Sequence, residues 1–172
     1  MSRIDVQVVE IPPSRVVSAY AYGEEPEMKS HDKLCAFLDR AGWDAKETER
    51  HRFFGFNNPD PAPGSPQYGY EHIVTVADSF VLPEGLPEGI ELKSVPGGRY
   101  ASLRVTGVPN PSKWGDLVRW INGSPYQYDA TRQWLEEVAP EALTRFLTKG
   151  SDPETWQFNL MSPVVQAAHK VK

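Results

Sequence analysis

Cysteine is nearly missing from this chain. Cys35 stands alone among 172 residues, so no internal disulfide can form and nothing asks for an oxidising compartment. Histidine is scarce as well, with four in all. His31 and Cys35 lie one helical turn apart, but two donors with no third nearby do not build a metal site, and no Ser-His-Asp or Cys-His arrangement can be assembled. No run approaches the ~18 apolar residues of a membrane span. The opening Met1-Ser2-Arg3-Ile4-Asp5 is polar and acidic where a signal peptide needs an apolar core. A basic excess is missing too: 18 Lys and Arg against 23 Asp and Glu give a net charge of −5, and the cations are scattered, which argues against a phosphate-binding face. Pro96-Gly97-Gly98 lacks the glycine spacing and the following helix of a phosphate cradle. These absences lead to the expectation of a cytoplasmic protein with no cofactor, no metal, no membrane and no direct nucleic-acid contact.

What the chain has instead is a repeat. Val95-Pro96-Gly97-Gly98-Arg99-Tyr100-Ala101-Ser102-Leu103-Arg104-Val105-Thr106-Gly107 lies without a gap over Ile11-Pro12-Pro13-Ser14-Arg15-Val16-Val17-Ser18-Ala19-Tyr20-Ala21-Tyr22-Gly23, an offset of 84. Pro12/Pro96, Arg15/Arg99, Ser18/Ser102 and Gly23/Gly107 are identical. A period of about half the chain indicates a duplicated domain half rather than a solenoid. Proline and glycine between two extended runs predict a strand, a tight turn and a partner strand in each copy.

The rest of the chain fits two such halves, about 4–76 and 90–164, joined by a Pro- and Gly-rich linker over 77–89, within one domain spanning 1–172. In the first half Ser30 is the expected cap of a helix whose face is Leu34, Cys35, Phe37, Leu38 and Ala41, closed by Gly42. Strands are expected over 52–56 and 67–76. In the second, Ser112 is the expected cap of a helix burying Leu117, Val118, Trp120 and Ile121. A brief extended piece over 126–128 follows, then a helix from Asp129 through Val138 and another over 141–149. A last strand runs over 155–161, stopped by Pro163, with a loose tail over 166–172. The predicted fold class is α+β: two pseudo-symmetric strand-strand-helix-strand halves forming an antiparallel sheet, with helices on one side and a ligand cleft along the pseudo-dyad.

Val95-Pro96-Gly97-Gly98-Arg99-Tyr100-Ala101 followed by Gly107 resembles the hairpin of the GyrI-like small-molecule-binding domains, which also serve as effector-binding domains of AraC-type and MerR-type activators. Phe54-Gly55-Phe56-Asn57-Asn58-Pro59-Asp60, Tyr70-Glu71-His72-Ile73-Val74-Val76 and Leu135-Glu136-Glu137 resemble further motifs of that family, so that the likeness covers roughly residues 4–164. Val138 departs from it where a tyrosine is usual, and 139–149 reads as a longer helical insertion. The resemblance implies a SOUL-like fold, here as a stand-alone bacterial member. It also implies an aromatic-walled cleft with a carboxylate at its floor that holds hydrophobic, often cationic aromatic compounds.

Such a site suits a sequence with 5 Trp, 7 Tyr and 7 Phe, because an aromatic face attracts a cation by about 0.5–2 kcal/mol. Glu71, flanked by Tyr70, is the leading pocket carboxylate, and Glu136 is the second. Trp114 and Trp134 are candidate ring walls, with Tyr100 and Tyr126 beside them, whereas helical spacing assigns Trp120 to packing. Phe54 and Phe56 share a side of their strand and suit either the ligand or the core.

Three functions compete. The first is multidrug recognition or sequestration. The second is a hydrolase of reactive cyclopropane-bearing compounds, a chemistry the resemblance permits, in which Glu71 or Glu136 would direct water as a general base in a dry pocket that raises its pKa. The third is a gyrase-inhibitor-like interaction domain. The expected partners are a small hydrophobic or cationic ligand and, beyond it, a transcription factor or topoisomerase.

Overall fold

The computed structural model describes residues 3–168. In chain order the elements are β1 (Val6–Ile11), β2 (Ser14–Glu24), α1 (Pro26–Ala41), α2 (Ala45–Thr48), β3 (Phe53–Asn57), β4 (Gln67–Val76), β5 (Ile90–Val95), β6 (Gly98–Thr106), α3 (Pro111–Asn122), β7 (Tyr126–Tyr128), β8 (Leu135–Val138), α4 (Leu143–Leu147) and β9 (Gln157–Gln166). The described residues form two compact units, one made of 14–95 and the other of 3–13 with 96–168.

In the 14–95 unit, β2 runs antiparallel between β5 and β4, and β3 borders β4. In the other unit, β6 runs antiparallel between β1 and β9, with β8 and the short β7 both pairing β9. The strand orders β5-β2-β4-β3 and β1-β6-β9-β8 are therefore the same order, and each unit is an α+β layer of antiparallel strands.

The predicted hairpins do not form. β1 pairs with β6 and β5 pairs with β2, so each unit takes its outer strand from the other copy of the repeat. Pro12-Pro13 and Pro96-Gly97 carry the chain from one unit into the other instead of folding it back. Gly97 sits at φ 67, and a Cβ there would lie 2.6 Å from the Pro12 carbonyl carbon. Only glycine meets both demands.

Helix α1 starts four residues before the expected cap, with Pro26 in its first turn, where a missing N–H costs nothing. It buries Leu34, Phe37 and Leu38, and ends as predicted at Gly42, in the left-handed conformation. Ser30 is inside the helix. Asn110 rather than Ser112 caps α3, accepting the Lys113 amide. Leu117 and Ile121 form the buried face of α3, while Val118 is exposed.

The larger correction concerns 129–138. Asp129 caps no helix: its Oδ1 accepts the Thr131 amide at 3.0 Å and the Thr131 hydroxyl at 2.6 Å, and its Oδ2 accepts Arg132 Nε at 2.8 Å. That is an Asx turn, and residues 135–138 continue as strand β8. Pro163 does not end the last strand, which runs on to Gln166. Of the tail expected over 166–172, residues 169–172 lie outside the described residues. No helix among the described residues is long and apolar enough to cross a membrane.

Candidate functional site

Strand β4 has one face against α1 and one turned away. On the helix side, His72 is fixed by Ser30: the Ser30 hydroxyl accepts the His72 backbone N–H at 2.9 Å, lies 2.7 Å from Nδ1, and donates to the Ala19 carbonyl at 2.7 Å. With its one hydrogen directed to Ala19, the hydroxyl oxygen accepts a hydrogen bond from Nδ1–H, which sets the tautomer. Burial, and secondarily the charge of His31, pushes His72 down from 6.5 to about 3, so its imidazole is neutral.

Alternation sends Glu71 to the other face. Its side chain is 1% exposed, and every donor around it is named by geometry. Lys93 Nζ donates to Oε1 at 2.6 Å, Ser18 Oγ donates to Oε1 at 2.6 Å, and Asn58 Nδ2 donates to Oε2 at 2.7 Å. Burial alone pushes this carboxyl up. The hydrogen bonds from Lys93, Ser18 and Asn58, with the charge of Lys93, outweigh that and hold it below the ordinary carboxylate range. Lys93 is raised in turn: burial works against its charge, while Glu71 and Glu91 favour it.

Sequence reasoning singled out Glu71 as a candidate and named none of these partners. Asn58 reaches it because β4 has a glycine at 69: a Cβ there would lie 2.6 Å from the Asn58 carbonyl carbon and 2.7 Å from the Tyr20 hydroxyl. Tyr20 on β2 and Phe56 on β3 are the direct cross-strand neighbours of Glu71, so the three side chains share a face at Cβ separations of about 5 Å. Both rings are half-buried. Tyr20 had no signal in the sequence beyond its place in the repeat.

The remaining candidates fall into two groups. Tyr70 and Phe54 are buried core residues of the 14–95 unit, Tyr70 packing on His72 with ring centres 4.9 Å apart. Tyr100 is also buried, and its ring face is taken by the Arg132 guanidinium at 4.8 Å. Trp114 and Trp134 are brought together in the other unit, edge to face at 5.2 Å, with Tyr128 5.2 Å from Trp134. All three keep some exposure. Tyr126 lies over Trp120 at 6.4 Å with the Arg99 guanidinium at 5.8 Å.

Because 135–138 is a strand, Glu136 and Glu137 point to opposite faces. Glu136 is half-buried, while Glu137 is the buried one, accepting Asn159 Nδ2 at 3.0 Å. Register links this pair to Glu71. Tyr20 faces Glu71 and its repeat equivalent Arg104 faces Asn159, so Asn159 holds the place of Glu71. Glu137 holds the place of Phe56.

His31 and Cys35 do face each other, Nδ1 to Sγ at 3.8 Å. Burial first, then Asp32 and Asp39, pushes the thiol up from its ordinary range, which makes it a poor nucleophile.

The family model described as integron-associated effector binding protein matches residues 7–164. A DNA gyrase inhibitor of Serratia proteamaculans is 40% identical over 72 residues, a match covering 40% of this chain and 46% of that protein. Among solved structures, the EcmrR C-terminal domain is similar at TM-score 0.68 and 16% identity, over 95% of this chain and 99% of that one. In the EcmrR–DNA complex the match spans 58% of the EcmrR chain. SAV2435, solved with tetraphenylphosphonium bound, is similar at TM-score 0.52 and 10% identity over 94% of each chain. These likenesses are of fold.

Proposed function

The chain belongs to the integron-associated effector-binding proteins, and from that membership we propose that it recognises hydrophobic organic cations, with Glu71 as the counter-charge and Tyr20 and Phe56 as flanking rings. The observation that carries this is a carboxylate that stays ionised although it is fully buried, set between two half-buried aromatic side chains. Rings tolerate many ligand outlines, and a desolvated carboxylate attracts a cation more strongly than one in water. That chemistry supports recognition of many such compounds, and we propose sequestration, or presentation to a transcription factor, as its use. Trp114, Trp134 and Tyr128 offer a second ring surface in the other unit.

The bound tetraphenylphosphonium of SAV2435 supplies the probe. Titration calorimetry with tetraphenylphosphonium and with neutral triphenylphosphine oxide is the test. Glu71→Gln is expected to weaken the cation at least 10-fold and the neutral compound less than 2-fold, as loss of a buried charge partner requires. Equal loss for both compounds would overturn the reading.

The hydrolase alternative has Glu71 or Glu136 directing water; a raised carboxyl pKa would favour Glu71 in that role, and its shift is in the other direction. A topoisomerase as partner has the gyrase-inhibitor relative in its favour. Copurification with purified gyrase tests it.

A further inference from the structure

The carboxylate that would meet a ligand's cation already holds one of the chain's own. Lys93 Nζ is 2.6 Å from Glu71 Oε1 and also 3.4 Å from Glu91 Oε1. The three side chains form a gradient of exposure: Glu71 at 1%, Lys93 at 34% and Glu91 at 63%. Glu91 and Lys93 are two apart on β5 and so share a face. The ammonium thus sits between a buried carboxylate and one in solvent, on a flexible stem.

We propose that Lys93 is a resident competitor for the ligand: it occupies Glu71 in the free protein, moves to Glu91 when a cation enters, and thereby sets which cations the site accepts. This rests on the reading of Glu71 as the ligand's counter-charge. The geometry makes the exchange balanced in charge, since one cation replaces another at Glu71 while the displaced ammonium keeps a carboxylate partner. Ser18 and Asn58 continue to donate to Glu71 throughout, so its remaining lone pairs stay satisfied. Sodium or a small ammonium ion would only reproduce what Lys93 already supplies. A bulky apolar cation brings something more, ring contact with Tyr20 and Phe56, and that surplus is what displaces the lysine. Lys93 therefore excludes small cations and imposes a threshold of apolar surface on large ones.

The test uses tetraphenylphosphonium, triphenylphosphine oxide and ammonium ion on the full chain, by calorimetry. Lys93→Met and Lys93→Gln are both expected to tighten tetraphenylphosphonium 10-fold or more, to leave triphenylphosphine oxide unchanged, and to admit ammonium that the wild type does not bind. In the wild type, saturation with tetraphenylphosphonium is expected to raise the acetylation rate of Lys93 several-fold, read by peptide mass spectrometry, with the other lysines unchanged. This second measurement needs no variant to fold. If the cation binds in a Glu71-dependent way but Lys93 acetylation does not rise, or the Lys93 variants bind it no more tightly, the competitor role is overturned and the counter-charge reading stands. If no form binds tetraphenylphosphonium, or binding ignores Glu71→Gln, both fall together.

Discussion

Arg132 covers the Tyr100 ring, its guanidinium carbon 4.8 Å from the ring centre, and from that position it donates to three backbone carbonyls, those of Gly97 at 3.1 Å, Arg99 at 3.0 Å and Val164 at 3.1 Å. One side chain therefore ties the Asx turn to the start of β6 and to β9. Arg132→Ala is expected to destabilise the protein by about 2–3 kcal/mol, because buried carbonyls lose a charged donor. Arg132→Lys is expected to recover little of it, since an ammonium cannot reproduce the planar fork. Urea denaturation measures both, and a loss under about 0.5 kcal/mol for Arg132→Ala would contradict the assigned role.

Gly97→Ala is expected to cost on the order of 1–3 kcal/mol, from the positive φ and the collision with the Ile11 carbonyl oxygen and Pro12. Thermal unfolding of the variant checks it, with Gly150→Ala as the comparison. Gly150 has φ 80 but nothing within 4 Å of a new Cβ, so the contact penalty is absent there and its loss should be the smaller.

Stability should fall with acid in two windows. His72 is held at about 3 when folded against an ordinary 6.5. Between those values the unfolded chain takes a proton that the folded one refuses, so lowering the pH costs stability, by up to ~1.4 kcal/mol per pH unit. Glu71, lowered below its ordinary 4.5, adds its own loss only as the pH drops through that carboxylate range. Denaturant melts between pH 7 and 5 therefore isolate the histidine. His72→Gln should flatten that segment, and a slope unchanged in the variant would show that His72 is not its source.

Trp114 and Trp134, at 5.2 Å and 67°, are close enough for their indole transitions to couple. The far-ultraviolet circular dichroism of the wild type should carry an exciton couplet that Trp114→Phe and Trp134→Phe each remove and Trp120→Phe leaves in place. Loss on the Trp120 change alone would place the coupled pair elsewhere.

Part of this architecture was legible in the sequence. The repeat announced two like halves, β4 appeared with its bounds intact, and Glu71 was singled out by the Tyr70-Glu71 motif of the family the chain resembles. What local pattern could not supply was pairing. A proline or glycine between two extended runs looks the same whether the chain turns back or passes on, so the exchanged outer strands were invisible. Lys93 was invisible for the same reason, since it meets Glu71 only because β5 lies beside β2. Residues 129–138 misled because an aspartate two residues before a threonine suits a helix cap and an Asx turn equally. Arg132, with its carbonyl partners far away in sequence, decided the matter.

The borrowed outer strands have a consequence for how such a protein is divided. Cutting within 77–89 would hand each fragment one strand that belongs elsewhere and leave β2 or β6 without its outer partner, so the pieces should be sticky alone and should reassociate when mixed. The single chain thus holds two like units that exchange their first strands, with the acid Glu71 in one and the amide Asn159 at the same register position in the other.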